Sequence, residues 1–399
     1  MRRVWLPLRA LHRNRTGTDV YNLADYGAML AHRARADAYA KAIERAVKPG
    51  AVVAEIGCGP GYFSLLACRA GAKRVYAIES SDSVAFAHEL VAANGCSGQI
   101  EVLHGSSLQL ELPERADVIL SDIRGTLPLL GDAISAIEDA RARFLAPGGV
   151  MIPGVDHLYV GLASVPEYYA SIVAPWQDFG NGVRLSGLLE RVLNCAYNVA
   201  FDTDKVMSDP VEWCELDYRA GAVTRAAAKV PLRATRNGLA HGTVLWFRTT
   251  LFEDIGYSSA PGQPDNVYGQ LFLPWSEPVE LRAGQEVAVE LHADLVGGTY
   301  IWRWESRFAP VNGQAGRVFS QSTLESAAFS PEVLRRRSAG FVPKLSESAA
   351  AESWVMQSMN GARSVQEIAA EAAQRFPTVF RNSQEAFQAV SRLADKFAL

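Results

Sequence analysis

The sequence predicts a mixed α/β chain: a doubly wound parallel sheet, then an antiparallel β domain, then a small helical unit. Three observations carry this. Short apolar runs alternate with helical stretches from Ala51 to Gly149, a two-residue period takes over from about 155 to 325, and a helical period returns after Pro343. The 399 residues suit two or three domains, with boundaries expected at 1–154, 155–325, a linker at 326–342, and 343–399. A hydrophobic share of 49% with 21% charged residues excludes disorder over most of the chain. Lys and Arg number 39 against 43 Asp and Glu, and a net charge of −4 argues against attachment to nucleic acid or anionic lipid through bulk charge.

In chain order, Val52–Ile56 is an apolar run followed by glycines and a helix from about Tyr62 to Ala70. Val75–Ile78 reads as a second strand and Val84–Ala93 as a second helix. Ile100–Leu103 and Val118–Leu120 are further strands, Asp132–Phe144 a helix, and Gly149–Ile152 a closing strand. Such sheets bind ligands at the carboxyl ends of their strands. The loop Gly57-Cys58-Gly59-Pro60-Gly61 is G-x-G-x-G between a strand and a helix. A dinucleotide fingerprint needs glycine at 62, where Tyr62 stands, and Pro60 removes an N–H that a pyrophosphate could use. The loop therefore suits a backbone lying close to a compact ligand. Glu79 ends the second strand, where an acid accepts two hydrogen bonds from ribose hydroxyls.

The run Glu55-Ile56-Gly57-Cys58-Gly59-Pro60-Gly61, with Ala70–Val75 and Ile78-Glu79-Ser80, resembles class I S-adenosylmethionine (SAM) methyltransferases. Within that class it is similar to the protein arginine methyltransferases, through Glu111-Leu112-Pro113, Ala140-Arg141, Phe144–Gly149 and Ile152-Pro153. Met29–Arg35 matches the family helix that lies over SAM. The resemblance implies a Rossmann-like SAM domain over 1–154, a β-barrel-like domain over 155–325, homodimer formation, and S-adenosylhomocysteine as product. It implies a donor site of Arg35, Glu55, Gly57, Cys58, Gly59, Gly61, Glu79, Ser80, Ser107 and Leu108, with Arg35 pairing the SAM carboxylate. Leu108 aligns with a family glutamate near the adenine amine, so Gln109 or a backbone group takes that role.

The resemblance breaks at the acceptor. The family grips a guanidinium with two glutamates on a hairpin. Here Asp122 aligns with the first and Gly131 with the second, Asp132 follows one step beyond, and Arg124 adds a positive charge that would repel a cationic substrate unless it points away. A guanidinium is a poor nucleophile until two carboxylates localise its charge, whereas an amine needs only to lose a proton and be aimed. Asp122 is the candidate that orients the acceptor, with Asp132 or Glu138 assisting. The family's Thr-His-Trp loop reads Asn266-Val267-Tyr268. The leading expectation is methylation of a peptide or protein nitrogen. Arginine methylation with Asp122 and Asp132 as the acid pair, a small-molecule amine or hydroxyl acceptor, and a non-catalytic binding module are the alternatives.

Alternating runs at Leu158–Leu162, Gly242–Leu251, Gln270–Leu273 and Glu286–Leu291 mark the β domain, and a helical patch at Leu185–Cys195 sits where the family carries its dimerisation arm. Trp302 and Trp304 share a strand face, as barrel core or as an aromatic wall for a peptide. His104, His157 and His241 lack metal-ligand spacing, so no metal is expected. Cys58, Cys68, Cys96, Cys195 and Cys214 contain no C-x-x-C pair, which suits reduced thiols in the cytoplasm. No apolar run reaches the ~18 residues of a membrane helix. The basic stretch Met1–Arg15, interrupted at Arg9, is not read as a secretory signal.

Leu334–Arg337 reads as linker, with a patch for an acidic peptide or leader as the alternative. Beyond Pro343 come a stripe of Trp354, Val355 and Met359, then a capping box at Ser364–Glu367 opening a helix with Ile368, Ala372 and Phe376 inward. Asn382 with Glu385 opens a third helix bearing Phe387, Val390, Leu393 and Phe397. The phrases Leu345–Ala349, Met359–Ala369 and Arg375-Phe376 resemble the winged-helix recognition elements of the pyrroloquinoline-quinone chaperone type. That resemblance implies that 343–399 binds the leader of a ribosomally made precursor peptide by strand addition to a sheet edge.

Overall fold

The computed structural model describes residues 21–398 except 179, 181, 222, 311–315 and 329. Met1–Arg15 lies outside the described residues. The chain divides into two compact units between Ala327 and Ala328.

The first unit opens with α1 (Leu23–Ala31) and α2 (Arg33–Ala46), then β1 (Val52–Ile56), α3 (Tyr62–Arg69), β2 (Arg74–Glu79), α4 (Val84–Ala93), β3 (Ile100–His104), β4 (Ala116–Ser121), α5 (Ala133–Phe144) and β5 (Leu145–Ile152). The strands form a parallel sheet in the order β3-β2-β1-β4-β5. All five residues of β1 are buried, as expected of a central strand covered on both faces. Strand order reverses direction between β1 and β4, which opens a crevice at their carboxyl ends. Ile56 pairs with Ser121, so Gly57 and Asp122 leave the sheet side by side.

Next come β6 (Val155–Ala163), α6 (Pro166–Val173), α7 (Leu189–Leu193), β7 (Tyr197–Val199), β8 (Val211–Asp217), β9 (Arg225–Arg233), β10 (Gly238–Phe252), β11 (Ile255–Ser258), β12 (Gln270–Leu281), β13 (Glu286–Val296), β14 (Thr299–Phe308), β15 (Val318–Ser322) and α8 (Thr323–Ser326). Among the described residues these strands form two antiparallel sheets, β7-β12-β10-β6-β8 with β11 on β10, and β15-β14-β13-β9. Trp302 and Trp304 are each 1% exposed and belong to the core rather than to a peptide-binding wall. Their indoles donate to the carbonyls of Leu129 (2.8 Å) and Pro274 (3.2 Å). The first of these bonds ties the β domain to the segment that follows β4, where Leu127 and Leu129 are fully buried. The patch expected at Leu185–Cys195 is a short 3-10 turn followed by the single turn and a half of α7.

The second unit contains α9 (Pro331–Arg336), α10 (Glu347–Ser358), α11 (Val365–Arg375) and α12 (Ser383–Phe397), and no strand among its described residues. Its core is Ala351, Val355, Ile368, Ala372, Val390 and Leu393. The Ser364–Glu367 capping box is present, and Asn382 caps α12 through the Glu385 N–H. Leu334–Arg337 is not plain linker, because Ser330-Pro331 starts α9 across most of it. Phe387 and Phe397 are 45% and 55% exposed, because α12 turns Ala386, Val390 and Leu393 inward instead. Among its described residues this unit is helical and shows no strand, so no sheet edge is seen there for the strand addition implied by the winged-helix resemblance.

Candidate active site

The loop after β1 is folded back over β2, with the N–H groups of Gly57 and Cys58 donating to the Ile78 carbonyl at 2.9 and 3.0 Å. Gly57 and Gly59 are left-handed, at φ 73° and 52°. A Cβ on Gly57 would lie 2.5 Å from Ile123 Cγ2, and one on Gly59 would lie 2.6 Å from the Tyr26 ring. Both conformation and space therefore require glycine. The Glu79 carboxylate is buried beneath the loop and accepts from Gly59 N–H and Ser81 N–H, each at 2.8 Å. Each of its oxygens keeps a further lone-pair site. Gly57 and Ser80 are exposed, so the carboxyl ends of β1 and β2 face solvent. These features fit an adenosyl group: bare backbone on one wall and a fixed carboxylate for vicinal hydroxyls. Tyr26 of α1 crosses the loop and donates to Ser83 at 3.0 Å.

The other predicted donor residues take distinct places. Glu55 is buried on β1, accepts from the Ser64 hydroxyl, and has its carboxyl pushed up to about 8 by burial. The Cys58 thiol is buried and pushed up for the same reason. Ser107 is buried and its carbonyl accepts from Arg143, whereas Leu108 is 49% exposed beyond β3.

On the acceptor side, Asp122 is nearly buried, and no part of its carboxylate is free. It pairs with Arg35, accepts from the Tyr268 hydroxyl at 2.7 and 2.9 Å, and lies 3.4 Å from two nitrogens of Arg124. Burial pushes its carboxyl up, but Arg35, Arg124 and Tyr268 outweigh burial and hold it below the usual carboxylate range. Arg35 has the mirror balance: burial lowers it, and Asp122 raises it further. Arg124 points into the core rather than out toward a substrate. Its guanidinium donates to Asp156 (2.5 Å), Thr249 (2.8 Å), Tyr39 (2.8 Å) and Tyr257 (3.1 Å), and it lies over the Phe247 ring. Asp156 also accepts from Tyr218 at 2.7 Å. The two buried acids thus face two buried guanidinium groups, and the cluster is neutral.

The two assisting acids are not part of this cluster. Asp132 is the exposed residue before α5 and makes no capping bond. Glu138 is held by Arg141 one turn along the same helix, at 2.5 and 3.0 Å. Sequence reasoning did not single out His32, Tyr39, Asp156, Tyr218 and Tyr257. Arg35 and Tyr39 lie one turn apart on α2, and His32 stands at its N-cap three residues before Arg35, which is a legible signal. An acid amid the apolar residues of β6 is another. His32 is fully buried at the joint of α1 and α2, and neither ring nitrogen has a partner among the described residues. The ring packs edge-on against Tyr257 and Tyr268, with centroids 6.0 Å apart in each case. Elsewhere, pairing of β6 with β8 brings His157 beside Glu212 (2.9 Å) and Glu215 (3.7 Å), a set no sequence spacing announced. Its two acids are exposed, and the imidazole is already bonded.

Comparison with known proteins agrees with this arrangement. A family model described as ribosomal protein L11 methyltransferase (PrmA) matches residues 38–154. The chain is 30% identical over 245 residues to probable protein arginine N-methyltransferase 6 of Arabidopsis thaliana, covering 59% of this chain and 55% of that protein. It is 31% identical over 268 residues to probable histone-arginine methyltransferase CARM1 of Oryza sativa, covering 61% and 49%. The chain thus spans about half the length of the curated relatives it matches. Among solved structures, the Trypanosoma brucei PRMT1 enzyme–prozyme complex with AdoHcy superposes with a TM-score of 0.68 at 19% identity, over 75% of this chain and 98% of that one. Arabidopsis thaliana protein arginine methyltransferase 10 gives 0.67 at 21%, over 75% and 97%. The fold is that of the protein arginine methyltransferases, a parallel nucleotide-type sheet joined to an antiparallel β domain.

Proposed function

We propose that this chain is a SAM-dependent methyltransferase that modifies a protein or peptide nitrogen. The observation that carries this reading is the pairing of Gly57–Gly61 with the buried Glu79 carboxylate at the open ends of β1 and β2. Glu79 would hold the ribose hydroxyls, the Gly57–Gly59 backbone would lie along the amino-acid portion, and Arg35 would meet the carboxylate end. When bound, SAM supplies an activated methyl on a sulfonium. The residues of this chain then have three tasks: to aim the acceptor, to exclude water, and to hold charge in place. Asp122 does the last, pinned by Arg35 and Tyr268 next to the crevice. Asp132 and Glu138 take no part in this reading.

The test is transfer of label from methyl-tritiated SAM into protein. Incorporation that disappears in Glu79→Ala, with the fold intact by circular dichroism, supports the reading. Wild-type protein that binds no donor contradicts it. Arginine N-methylation is the second reading, favoured by the names of the relatives. Methylarginine in the hydrolysate distinguishes it. Delivery of a ribosomal precursor peptide by 343–399 rests on the resemblance alone. Unchanged modification of such a peptide after truncation before residue 343 contradicts it. Homodimer formation is likewise a proposal, tested by sedimentation.

A further inference from the structure

We propose that His32 is the residue that hydrogen-bonds the methyl acceptor and takes its proton, and that the acceptor is therefore an uncharged nitrogen bearing a hydrogen rather than a guanidinium. The proposal rests on the methyltransferase reading and narrows its substrate.

Two independent observations carry it. The first is the imidazole itself. It is fully buried, yet neither nitrogen has a partner among the described residues. A buried polar side chain left unsatisfied destabilises the fold, so its retention points to a partner that arrives from outside. It lies one helical turn before Arg35 on α2, and its ring touches Tyr257 and Tyr268, the hydroxyls of which bond each other at 2.7 Å. Tyr268 in turn donates to Asp122. The orphaned ring thus borders the group that faces the donor crevice. The α1 helix beside it contributes no buried residue to the core, so local opening there costs little.

The second observation is the charge balance. An incoming guanidinium needs a free carboxylate, and both acids of the cluster are already engaged by Arg35 and Arg124. A third guanidinium would enter beside a sulfonium, Arg35 and Arg124, with neither cluster carboxylate left unpaired to receive it. An uncharged nitrogen avoids that cost and needs what His32 offers, a neutral acceptor for its proton. Burial, with Arg35 next, lowers the imidazole's affinity for a proton, against smaller opposing effects of Asp122 and Asp265, so the ring is neutral at pH 7. Tyr257 and Tyr268 face it and stay protonated, since burial raises both.

The acceptor nitrogen's lone pair forms the new N–C bond. The C–S bond breaks and its electron pair returns to sulfur, leaving a neutral thioether. The acceptor's proton passes to His32, so the positive charge moves from sulfonium to imidazolium, next to Asp122.

The experiment compares wild type with His32→Phe and His32→Gln. Thermal unfolding without ligand comes first. The proposal expects the Phe variant to melt at or above the wild-type temperature, because an unsatisfied ring is replaced by an apolar one. A fall of more than about 5 °C in both variants marks a structural histidine and overturns the proposal. Calorimetry with S-adenosylhomocysteine should give affinities within about threefold of wild type in both, since donor contacts are untouched. Transfer of tritiated methyl into a total protein extract should fall about 100-fold or more in both. Because the imidazole is lowered, the wild-type rate should hold through its ordinary value of about 6.5 and decline only at lower pH, with no such decline in the residual rate of His32→Gln. The labelled residue after hydrolysis should not be methylarginine. Methylarginine as the main product, or transfer within threefold of wild type in His32→Phe, overturns the proposal. Failure of wild type to bind S-adenosylhomocysteine sinks the methyltransferase reading instead.

Discussion

Replacing Asp156 with Ala isolates the charge cluster under the acceptor side. The Arg124–Asp156 pair is 1% and 0% exposed at the side chains, with a contact of 2.5 Å. Removing the acid leaves a buried guanidinium bonded to neutral hydroxyls, with a longer contact to one carboxylate, Asp122, which Arg35 already holds. Removing one partner of a buried pair costs about 3–5 kcal/mol. For a unit of this size, 1 kcal/mol moves the melting temperature by about 2–4 °C, so Asp156→Ala should lower it by roughly 6–20 °C. Arg124→Met strands Asp156, which keeps only the Tyr218 hydroxyl, and should cost a similar amount. The double variant should recover most of both losses, because replacing a whole buried pair with apolar groups is often neutral or stabilising. The assay is urea unfolding of the wild type, both single variants and the double. Single-variant losses that simply add in the double variant, or singles costing under about 1 kcal/mol, would refute the idea of a closed, self-neutralising cluster.

Three further outcomes follow from the same structure. Glu55 is raised from 4.5 to about 8 by burial, so the folded chain binds a proton more tightly than the unfolded one between these values. Its contribution is greatest below pH 4.5 and falls toward pH 8, a loss of about 2–3 kcal/mol between pH 5 and 7 that Glu55→Gln should abolish in pH-dependent urea titrations. Asp122 is depressed, so its contribution holds above the ordinary carboxylate value and is lost only as pH falls through its lower one; Asp122→Asn should remove that acid-limb loss in the same titration. Trp302→Phe removes the donor to the Leu129 carbonyl and should cost about 2–4 kcal/mol by denaturant unfolding, with a loss under 1 kcal/mol contradicting the role of that bond in seating the segment after β4.

Much of this was legible because it is local. The apolar runs of β1 and β2, the glycine loop between β1 and α3, and the Ser364–Glu367 cap each encode their structure within a few residues. The cluster around Asp122 is not local. It gathers residues from α2, the segment after β4, β6, β10, β11 and the loop before β12, and it exists only once β6 pairs with β10 and β10 with β11. The sequence showed that Arg124 was unusual but could not show that Asp156, 32 positions away, neutralises it. The apolar stripe of α12 misled for a related reason. Phe387 and Phe397 are bulkier than Ala386, but the small residue fits the close approach of the neighbouring helices and takes the inward position.

Titration of S-adenosylhomocysteine into the wild-type chain and into Glu79→Ala, followed by heat, tests the central claim most directly. The account predicts binding of about one ligand per wild-type chain, and an affinity at least about tenfold weaker once the carboxylate that would hold the two hydroxyls is gone. No binding by wild type, or equal affinity in a correctly folded Glu79→Ala, contradicts it.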